Sequence, residues 1–292
     1  MLLRIAKREL RQGMYVEAVE CAHDAFDRRR FIVDSEDVLK KIMASPADFV
    51  LINQRLGAPV KHAAPVAPSA EMAAEVGRLG DALCRSFATV GRGDLDAADL
   101  EELTDDLLDI VNDAPAAFFQ LTRLQLADHA TYQHSIAVSG LMMKLASLVE
   151  LEDETIRQLG VAGLLHDIGK LTIPAAILNK AGPLSEVERQ LVRTHPERGF
   201  RILQRQGSFA QFVLDVTRHH HELLDGSGYP NGLTDREIVL PVRIATVCDV
   251  LDALTSVRAY KRAWETSEAL RWLFERPHHF DARLTLKLAS FL

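Results

Sequence analysis

The sequence predicts a mainly α-helical protein with a small α+β module at its N-terminus. From about residue 70 onward, apolar residues recur with the period of about 3.6 residues that amphipathic helices show. The first 60 residues instead contain short apolar runs typical of strands, and a stretch rich in proline and alanine follows them. We therefore predict an α+β module at 1–60, a linker at 61–70, connecting helices at 71–115 and a large helical domain at 116–292.

Length and charge limit the classes of function. With 292 residues, of which 48% are hydrophobic, the chain can bury a full core. Its formal net charge of −7 argues against a nucleic-acid polymer as partner, because such binding depends on many Lys and Arg contacts to phosphates. A small phosphorylated ligand is compatible with this charge.

The cysteines and the apolar runs indicate a cytoplasmic protein without a membrane span. Cys21, Cys84 and Cys248 are widely separated and form no C-x-x-C motif, which argues against a disulfide framework. The longest later apolar run, 137–149, is interrupted by Lys144 and is too short to cross a bilayer. The first residues form too short an apolar run for a signal peptide.

Three β-like runs and one helix are predicted in the N-terminal module. The runs lie at 14–19, 30–33 and 49–52, and the helix at 36–43 follows the N-cap candidates Asp34 and Ser35. The module lacks a cluster of acids, histidines or cysteines and is too small for a deep catalytic pocket. We expect it to be regulatory.

The connecting segment reads as two amphipathic helices. One apolar stripe consists of Met72, Val76, Leu79, Leu83 and Phe87; a second, after the N-cap candidate Asp96, consists of Leu100, Leu103, Leu107 and Ile110. Both stripes are typical of packing surfaces.

The stretch 163–170 is the feature around which the large domain is organised. An apolar helical run ends there in the adjacent pair His166 and Asp167, followed by Gly169 and Lys170. Adjacent helical side chains point about 100° apart, so the pair can share one face only at a last turn, where the backbone departs from regular geometry. Such a pair offers a nitrogen donor and a carboxylate with two oxygens for cations. The alternative is a C-cap, with Gly169 as the left-handed residue and Lys170 on the end carbonyls.

Further candidate ligands recur at intervals of about one helix and its loop. Helices are predicted at 136–148, 153–166, 185–195, 209–221 and 241–254, and proline at 196 is expected to stop the third. The candidates are His134, His166, Asp167, His195, His220, His221 and Asp249. Singly, each histidine is as well explained as a cap or a packed residue, and Asp249 as a buried hydrogen-bonding group. Together, five His and two Asp imply two octahedral cations in the interior of a bundle.

The segment 225–232 follows the histidines and contains three glycines with Tyr229 and Pro230. A flexible glycine-rich turn is one interpretation. The rigid proline and the single aromatic favour a shaped loop that presents Tyr229 toward the helix ends.

These motifs resemble those of the HD-GYP family of bacterial phosphodiesterases, a branch of the HD metallohydrolase superfamily. The resemblance covers about residues 118–290. It runs through Leu165 to Lys170, Leu178 to Lys180, Thr194 to Gly199, His220 to Glu222, Asp225 to Pro230, and Asp249 through Asp252 to Ser256, Arg258, Tyr260 and Lys261.

The resemblance implies an all-helical HD-type bundle that hydrolyses cyclic di-GMP to linear pGpG, and further to GMP, at a binuclear metal centre. His134, His166, Asp167 and Asp249 would hold one metal, and the bridging Asp167 with His195, His220 and His221 would hold the other. Iron or manganese is the expected metal. Asp167 and Lys170 would be catalytic, and Lys170, Tyr229, Arg258 and Lys261 would bind the substrate.

The chain departs from the family pattern at two positions that are not ligands: Leu223 replaces an Arg and Ala259 replaces a Pro. Some members hold a third cation on a glutamate four residues before the first histidine, where this chain has Ala130. We therefore expect two metals and pGpG as the main product. Residues 10–16 resemble, more weakly, the start of a small domain of unknown function that precedes HD-GYP domains.

A second function class stays open at this point. The chain is either a cyclic di-GMP phosphodiesterase or a non-catalytic or weakly active HD-GYP signalling module that binds nucleotide or a partner such as a diguanylate cyclase. A homodimer is compatible with both. The complete ligand set favours catalysis.

Overall fold

A computed structural model of the protein describes residues 2–19, 30–47, 49–53, 56–57, 68–90, 95–123, 130–256, 263–289 and 291–292. The architecture is mainly helical with one small antiparallel sheet, which confirms the predicted fold class. Over the described ranges, no helix is both long enough and apolar enough to span a bilayer.

The sheet is formed by the N-terminal residues. Its strands are β1 (Leu2–Ala6), β2 (Tyr15–Val19), β3 (Phe31–Ile32) and β4 (Phe49–Asn53), in the order β1-β4-β2-β3. The predicted runs at 14–19 and 30–33 contain β2 and β3, and the run at 49–52 covers β4 except for Asn53, whereas β1 has no counterpart in the predictions. It pairs along its whole length with β4, with Leu2 opposite Asn53 and Ala6 opposite Phe49.

One helix, α1 (Glu36–Ala44), packs on this sheet. The Ser35 hydroxyl accepts a hydrogen bond from the backbone N–H of Val38, so the predicted N-cap is confirmed. The module encloses its own apolar cluster of Ile5, Leu10, Met14, Val16, Val33, Ile42, Val50 and Ile52.

Three helices lead into the large helical region: α2 (Ala70–Thr89), α3 (Ala97–Asp113) and α4 (Pro115–Thr122). Both predicted apolar stripes are packing surfaces, since four of five stripe residues in α2 are buried. The Asp96 carboxylate caps α3 by accepting the N–H of Ala98.

The remaining helices build the bundle. They are α5 (Ala130–Leu148), α6 (Asp153–Leu165), α7 (Ala175–Leu178), α8 (Glu186–Val192), α9 (His195–Gln206), α10 (Gln211–His219), α11 (Leu240–Thr255), α12 (Thr266–Phe274) and α13 (Ala282–Leu288). Helices α5 and α6 approach very closely, because a Cβ on Gly163 would lie 2.5 Å from the Cα of Ser139. This contact sets His134 of α5 beside the end of α6.

The helical core extends to the sheet. Leu2 and Leu51 are buried in the same apolar cluster as residues of α2, α5 and α11. The division into a module, a linker and a helical domain stays a prediction, and residues 61–67 of the predicted linker lie outside the described residues.

Candidate metal centre

His166 and Asp167 end helix α6 and point to the same side. His166 is the C-cap, and Asp167 leaves helical geometry at φ −100° and ψ 8°, before a 3₁₀ turn at Ile168–Thr172. Both side chains are buried. The Nδ1 of His166 lies 2.8 Å from the carbonyl oxygen of Gly163, so Nδ1 carries the proton and Nε2 presents a lone pair to the cluster.

Gly169 acts differently from the C-cap glycine that the sequence suggested. Its φ is not in the left-handed region. A Cβ there would lie 1.9 Å from the carbonyl oxygen of His195 and 2.6 Å from the backbone nitrogen of Gly199. Glycine is needed because the turn after Asp167 packs directly on the backbone of α9.

His195 begins helix α9, and Pro196 is in its first turn. The prediction that this proline ends the preceding helix is wrong in one respect: α8 has already ended at Val192, and proline suits a first turn, where its missing N–H has no helical partner. The Nδ1 of His195 faces the carbonyl oxygen of Val192 at 2.7 Å. Its Nε2 lies 3.1 Å from Asp167 Oδ1.

His220 and His221 follow the last turn of α10. The Nδ1 of His220 lies 3.1 Å from the carbonyl oxygen of Thr217. Its Nε2 faces the Nε2 of His195 at 3.3 Å. Because carbonyl groups hold both Nδ1 protons, the two facing Nε2 atoms are lone-pair donors. Two lone pairs at this distance repel each other, whereas a cation coordinated by both resolves the repulsion.

His134 and Asp249 complete the other side of the cluster. The Nε2 of His134 lies 3.2 Å from Asp249 Oδ1 and 3.6 Å from Asp167 Oδ2. The Nε2 of His166 lies 3.4 Å from the same Asp167 oxygen. The side chains of His134, His166 and Asp249 are all buried where α5, α6 and α11 meet.

Asp167 belongs to two donor groups at once. One contains Asp167, His195, His220 and His221, the other His134, His166 and Asp167, and the donor atoms within each lie within 4.8 Å of one another. Buried atoms His166 Nε2 and Asp167 Oδ1 have no hydrogen-bond partner among the described residues. These two unpartnered atoms, together with the ligand atoms that converge from five segments, fit two cations that share one carboxylate.

Comparison with known proteins gives the family. The family model described as HD domain matches residues 107–284. The chain belongs to the HD domain family. A cyclic di-GMP phosphodiesterase of Pseudomonas aeruginosa is 39% identical to it over 97% of this chain and 75% of that protein. A cyclic di-GMP phosphodiesterase response regulator of Xanthomonas campestris pv. campestris is 42% identical, over 50% of this chain but only 38% of its own length.

A solved structure agrees in fold. It is an HDG"Y"P protein from Bdellovibrio bacteriovorus, with a TM-score of 0.62 at 17% identity, covering 99% of this chain and 98% of that one. Together with the HD domain match and the 39% identical relative, this shared fold confirms the resemblance read from the sequence. Because the HD domain is a metal-dependent hydrolase fold, it implies divalent metal binding at this cluster.

The charge states of Asp167, His220 and His221 suit metal ligands. Burial raises the pKa of Asp167, but Lys170 and the neighbouring imidazoles outweigh burial and hold that pKa well below its usual range. Burial lowers the pKa of His221 to about 3 and that of His220 in the same direction, so both are neutral near pH 7. Neutral imidazoles and ionised carboxylates are the forms that coordinate cations.

The rim of this HD domain site carries three further groups. Lys170 contacts Asp167 Oδ2 and keeps 26% of its side chain exposed. The ring of Tyr229 stacks on His221, with centroids 4.7 Å apart and 28° between planes. The guanidinium of Arg193, at the end of α8, lies 4.3 Å from the centroid of Tyr229. Sequence reasoning missed Arg193; its position directly before Thr194-His195 is the only signal it offered.

A buried carboxylate holds the segment 225–232. Glu222 accepts hydrogen bonds from the backbone N–H groups of Asn231, Gly232 and Leu233 at 2.6, 3.1 and 3.0 Å. A segment fastened in this way is shaped, as predicted, and not a loose turn. Arg258 and Lys261, the other predicted substrate ligands, lie outside the described residues.

Proposed function

We propose that this chain is a phosphodiesterase that hydrolyses cyclic di-GMP with two divalent metal ions. The observation that carries the proposal is the position of Asp167, whose Oδ1 faces His195 and His220 while its Oδ2 faces His134 and His166. The two relatives named above are cyclic di-GMP phosphodiesterases, and one of them is similar over nearly the whole chain. This similarity supports the same substrate here.

The ligand roles follow the two donor groups. His134, His166 and Asp249 would hold one cation, and His195, His220 and His221 the other, with Asp167 shared. When bound, the two cations activate water and neutralise the oxygens of the phosphodiester. Iron or manganese suits an oxygen and imidazole set with open positions.

Positive charge at the rim would position the anionic substrate. Lys170 is partly exposed beside Asp167 and can donate N–H bonds to a phosphoryl oxygen as a point charge. Arg193 can form a bidentate pair with a phosphate, because none of its guanidinium donors is paired within the described ranges. Tyr229 would hold that guanidinium at the rim through its ring face. The roles of Arg258 and Lys261 in substrate binding rest on the family resemblance.

Within the described part of the chain, no feature favours the alternative, a non-catalytic signalling module, over hydrolysis, and the convergence of the seven candidate ligands supports hydrolysis. A diguanylate cyclase partner and a homodimer stay predictions. The module at 1–60 would be regulatory and the helical domain catalytic.

The test is a combined metal and product analysis. Protein purified without oxygen should contain two iron or manganese ions per chain and convert cyclic di-GMP to pGpG, with GMP appearing slowly. The same protein after chelation is the control, and 3′3′-cyclic GMP-AMP is the comparison substrate. No turnover by metal-replete protein would reject the proposed activity, and faster cleavage of the comparison substrate would reject its specificity.

A further inference from the structure

A second group of metal-binding side chains lies outside the seven residues described above. Asp225, His278 and His279 each place a donor atom within 4.8 Å of the other two. Asp225 and His278 are exposed and His279 is half-buried. The Nε2 of His279 lies 3.1 Å from Asp225 Oδ2.

The backbone fixes this group before any ion binds. Asp225 Oδ1 accepts the N–H of Ser227 at 3.0 Å and its hydroxyl at 2.6 Å, which leaves Oδ2 to face the histidines. The backbone N–H of Leu224, one residue earlier, donates to the carbonyl oxygen of His279 at 3.1 Å. The carboxylate and His279 are therefore held in register by a main-chain hydrogen bond, which lowers the ordering cost of coordination.

Neighbouring cations are engaged elsewhere. Arg276 donates to the carbonyl oxygen of Trp272 at 3.0 Å and lies over the Trp272 ring. Arg243 forms ion pairs with Asp235 at 2.7 Å and Asp281 at 3.6 Å. The two carboxylates partly neutralise Arg243, and Arg276 is held against Trp272. The formal charge of the group with neutral histidines is −1.

We propose that Asp225, His278 and His279 form a separate site for a late first-row divalent cation, zinc above all. Two imidazoles and one carboxylate are a common zinc donor set, and a fourth position stays open to water. A single carboxylate is too few oxygen ligands for Ca²⁺ or Mg²⁺, and manganese binds such nitrogen-containing sites more weakly than zinc. The site does not depend on the proposed hydrolytic function.

The ion would join two distant parts of the chain. Asp225 opens the segment 225–232 that presents Tyr229, whereas the histidines lie in the turn between α12 and α13. Zinc binding would fasten the start of that segment to the turn without adding a ligand to the binuclear centre. The order of the segment 225–232 would then depend on the zinc concentration.

The experiment is a difference in zinc stoichiometry. The full chain is dialysed to equilibrium against zinc after manganese saturation, alongside His278→Asn and His279→Asn. Zinc taken up by the binuclear centre is common to all three proteins and cancels. The wild type should bind one zinc per chain more than either variant, and His219→Asn, which removes a histidine bonded to Asn231, should match the wild type.

A second readout separates lost binding from lost folding. Unfolding midpoints without zinc should agree between the wild type and His278→Asn, because His278 is exposed; with zinc, only the wild type should gain stability. Equal zinc content in the wild type and both variants would overturn the proposed site. Loss of the extra zinc in His219→Asn as well would overturn its assignment to these three residues.

Discussion

His134 Nδ1 and Asp252 Oδ2 lie 2.6 Å apart, and both side chains are buried. Asp252 is held in turn by the hydroxyl of Ser256, which donates to its other oxygen at 3.0 Å. This carboxylate fixes the proton on Nδ1 and turns Nε2 of His134 toward Asp249 and Asp167. Asp252 is thus a positioning residue for a candidate ligand and not itself a ligand.

Replacing Asp252 should weaken metal binding more than it destabilises the fold. We expect Asp252→Asn to lower metal affinity about 10-fold and Asp252→Ala nearer 100-fold, because the amide still accepts the Nδ1 proton and alanine does not. Competition against a chelator of known affinity measures this. Thr255→Val is the matched control: Thr255 is buried on the same helix, and its hydroxyl donates to the carbonyl oxygen of Leu251 and not to a candidate ligand among the described residues. Equal metal affinity in Asp252→Ala and the wild type would contradict this role.

Removing the shared carboxylate should be more severe than removing one imidazole. Asp167→Asn should lose both metals and His166→Ala mainly one, because only Asp167 belongs to both donor groups. Hydrolysis should fall by more than about 100-fold in both variants. Loss of a residue that only hydrogen-bonds to a metal ligand already costs about 10- to 100-fold in metal affinity or activity. Metal analysis and single-turnover assays measure these effects, with Asp109→Asn on the exposed face of α3 as control. Full turnover by metal-replete Asp167→Asn protein would remove the two-metal assignment.

Helices such as α5, α6 and α11 could be predicted from the sequence because the apolar period is a local pattern, whereas α9, α12 and α13 were not predicted. Six of the seven candidate ligands lie at or near helix ends, which caps and proline mark in the sequence, whereas Asp249 lies in the middle of α11. Pro196 is ambiguous by the same local rules, since proline both ends one helix and suits the first turn of the next.

Features that depend on contacts between distant parts of the chain could not be predicted from the sequence. Strand β1 is specified by its pairing with β4, about 50 residues away in the chain. The place of Arg193 depends on the ring of Tyr229, and Gly169 is needed only because α9 packs against it. None of these contacts leaves a periodic or spacing signal.

Metal binding should release about one proton per chain at pH 7. Burial lowers the pKa of His134, but hydrogen bonds to Asp249 and Asp252 outweigh burial and raise it to about 9 in the metal-free protein. A cation can bind Nε2 only after that proton leaves, so metal affinity should rise about tenfold per pH unit up to about pH 9 and then level off. Calorimetry in two buffers of different ionisation enthalpy measures the release, which should be smaller in Asp252→Asn. Affinity independent of pH between 6 and 8 would contradict the shift.

The raised pKa of His134 also makes the stability of the metal-free protein depend on pH. The folded value of about 9 lies above the ordinary value of 6.5, so the folded state binds the His134 proton more tightly than the unfolded state. This contribution is complete below about pH 6.5 and is lost as pH rises to about 9. Urea unfolding of metal-free protein at pH 6.5 and 9 should show the loss, and Asp252→Asn should reduce it.

Arg193 and Tyr229 should act as a pair in substrate binding. Arg193→Ala should raise KM for cyclic di-GMP about tenfold with metal content and kcat unchanged, because a charged hydrogen bond contributes about 1.5–3 kcal/mol. In a Tyr229→Leu background the same change should cost less, since the guanidinium has lost its ring. Arg189→Ala, one turn earlier on α8 and paired with Glu186, is the control. Additive effects in the double variant would mean that the ring does not position Arg193.

A chain that begins at Ala70 should fold and hydrolyse cyclic di-GMP, but with lower stability. All seven candidate ligands lie between 134 and 249, whereas the removed module contributes Leu2 and Leu51 to the helical core. Each buried leucine is worth at most about 1.5–3 kcal/mol, so the unfolding midpoint should fall while kcat is retained. Thermal unfolding and initial rates measure this, and Leu2→Ala in the full chain gives the contribution of one contact alone. A soluble truncated chain with native metal content and no activity would instead make the module part of the catalytic fold.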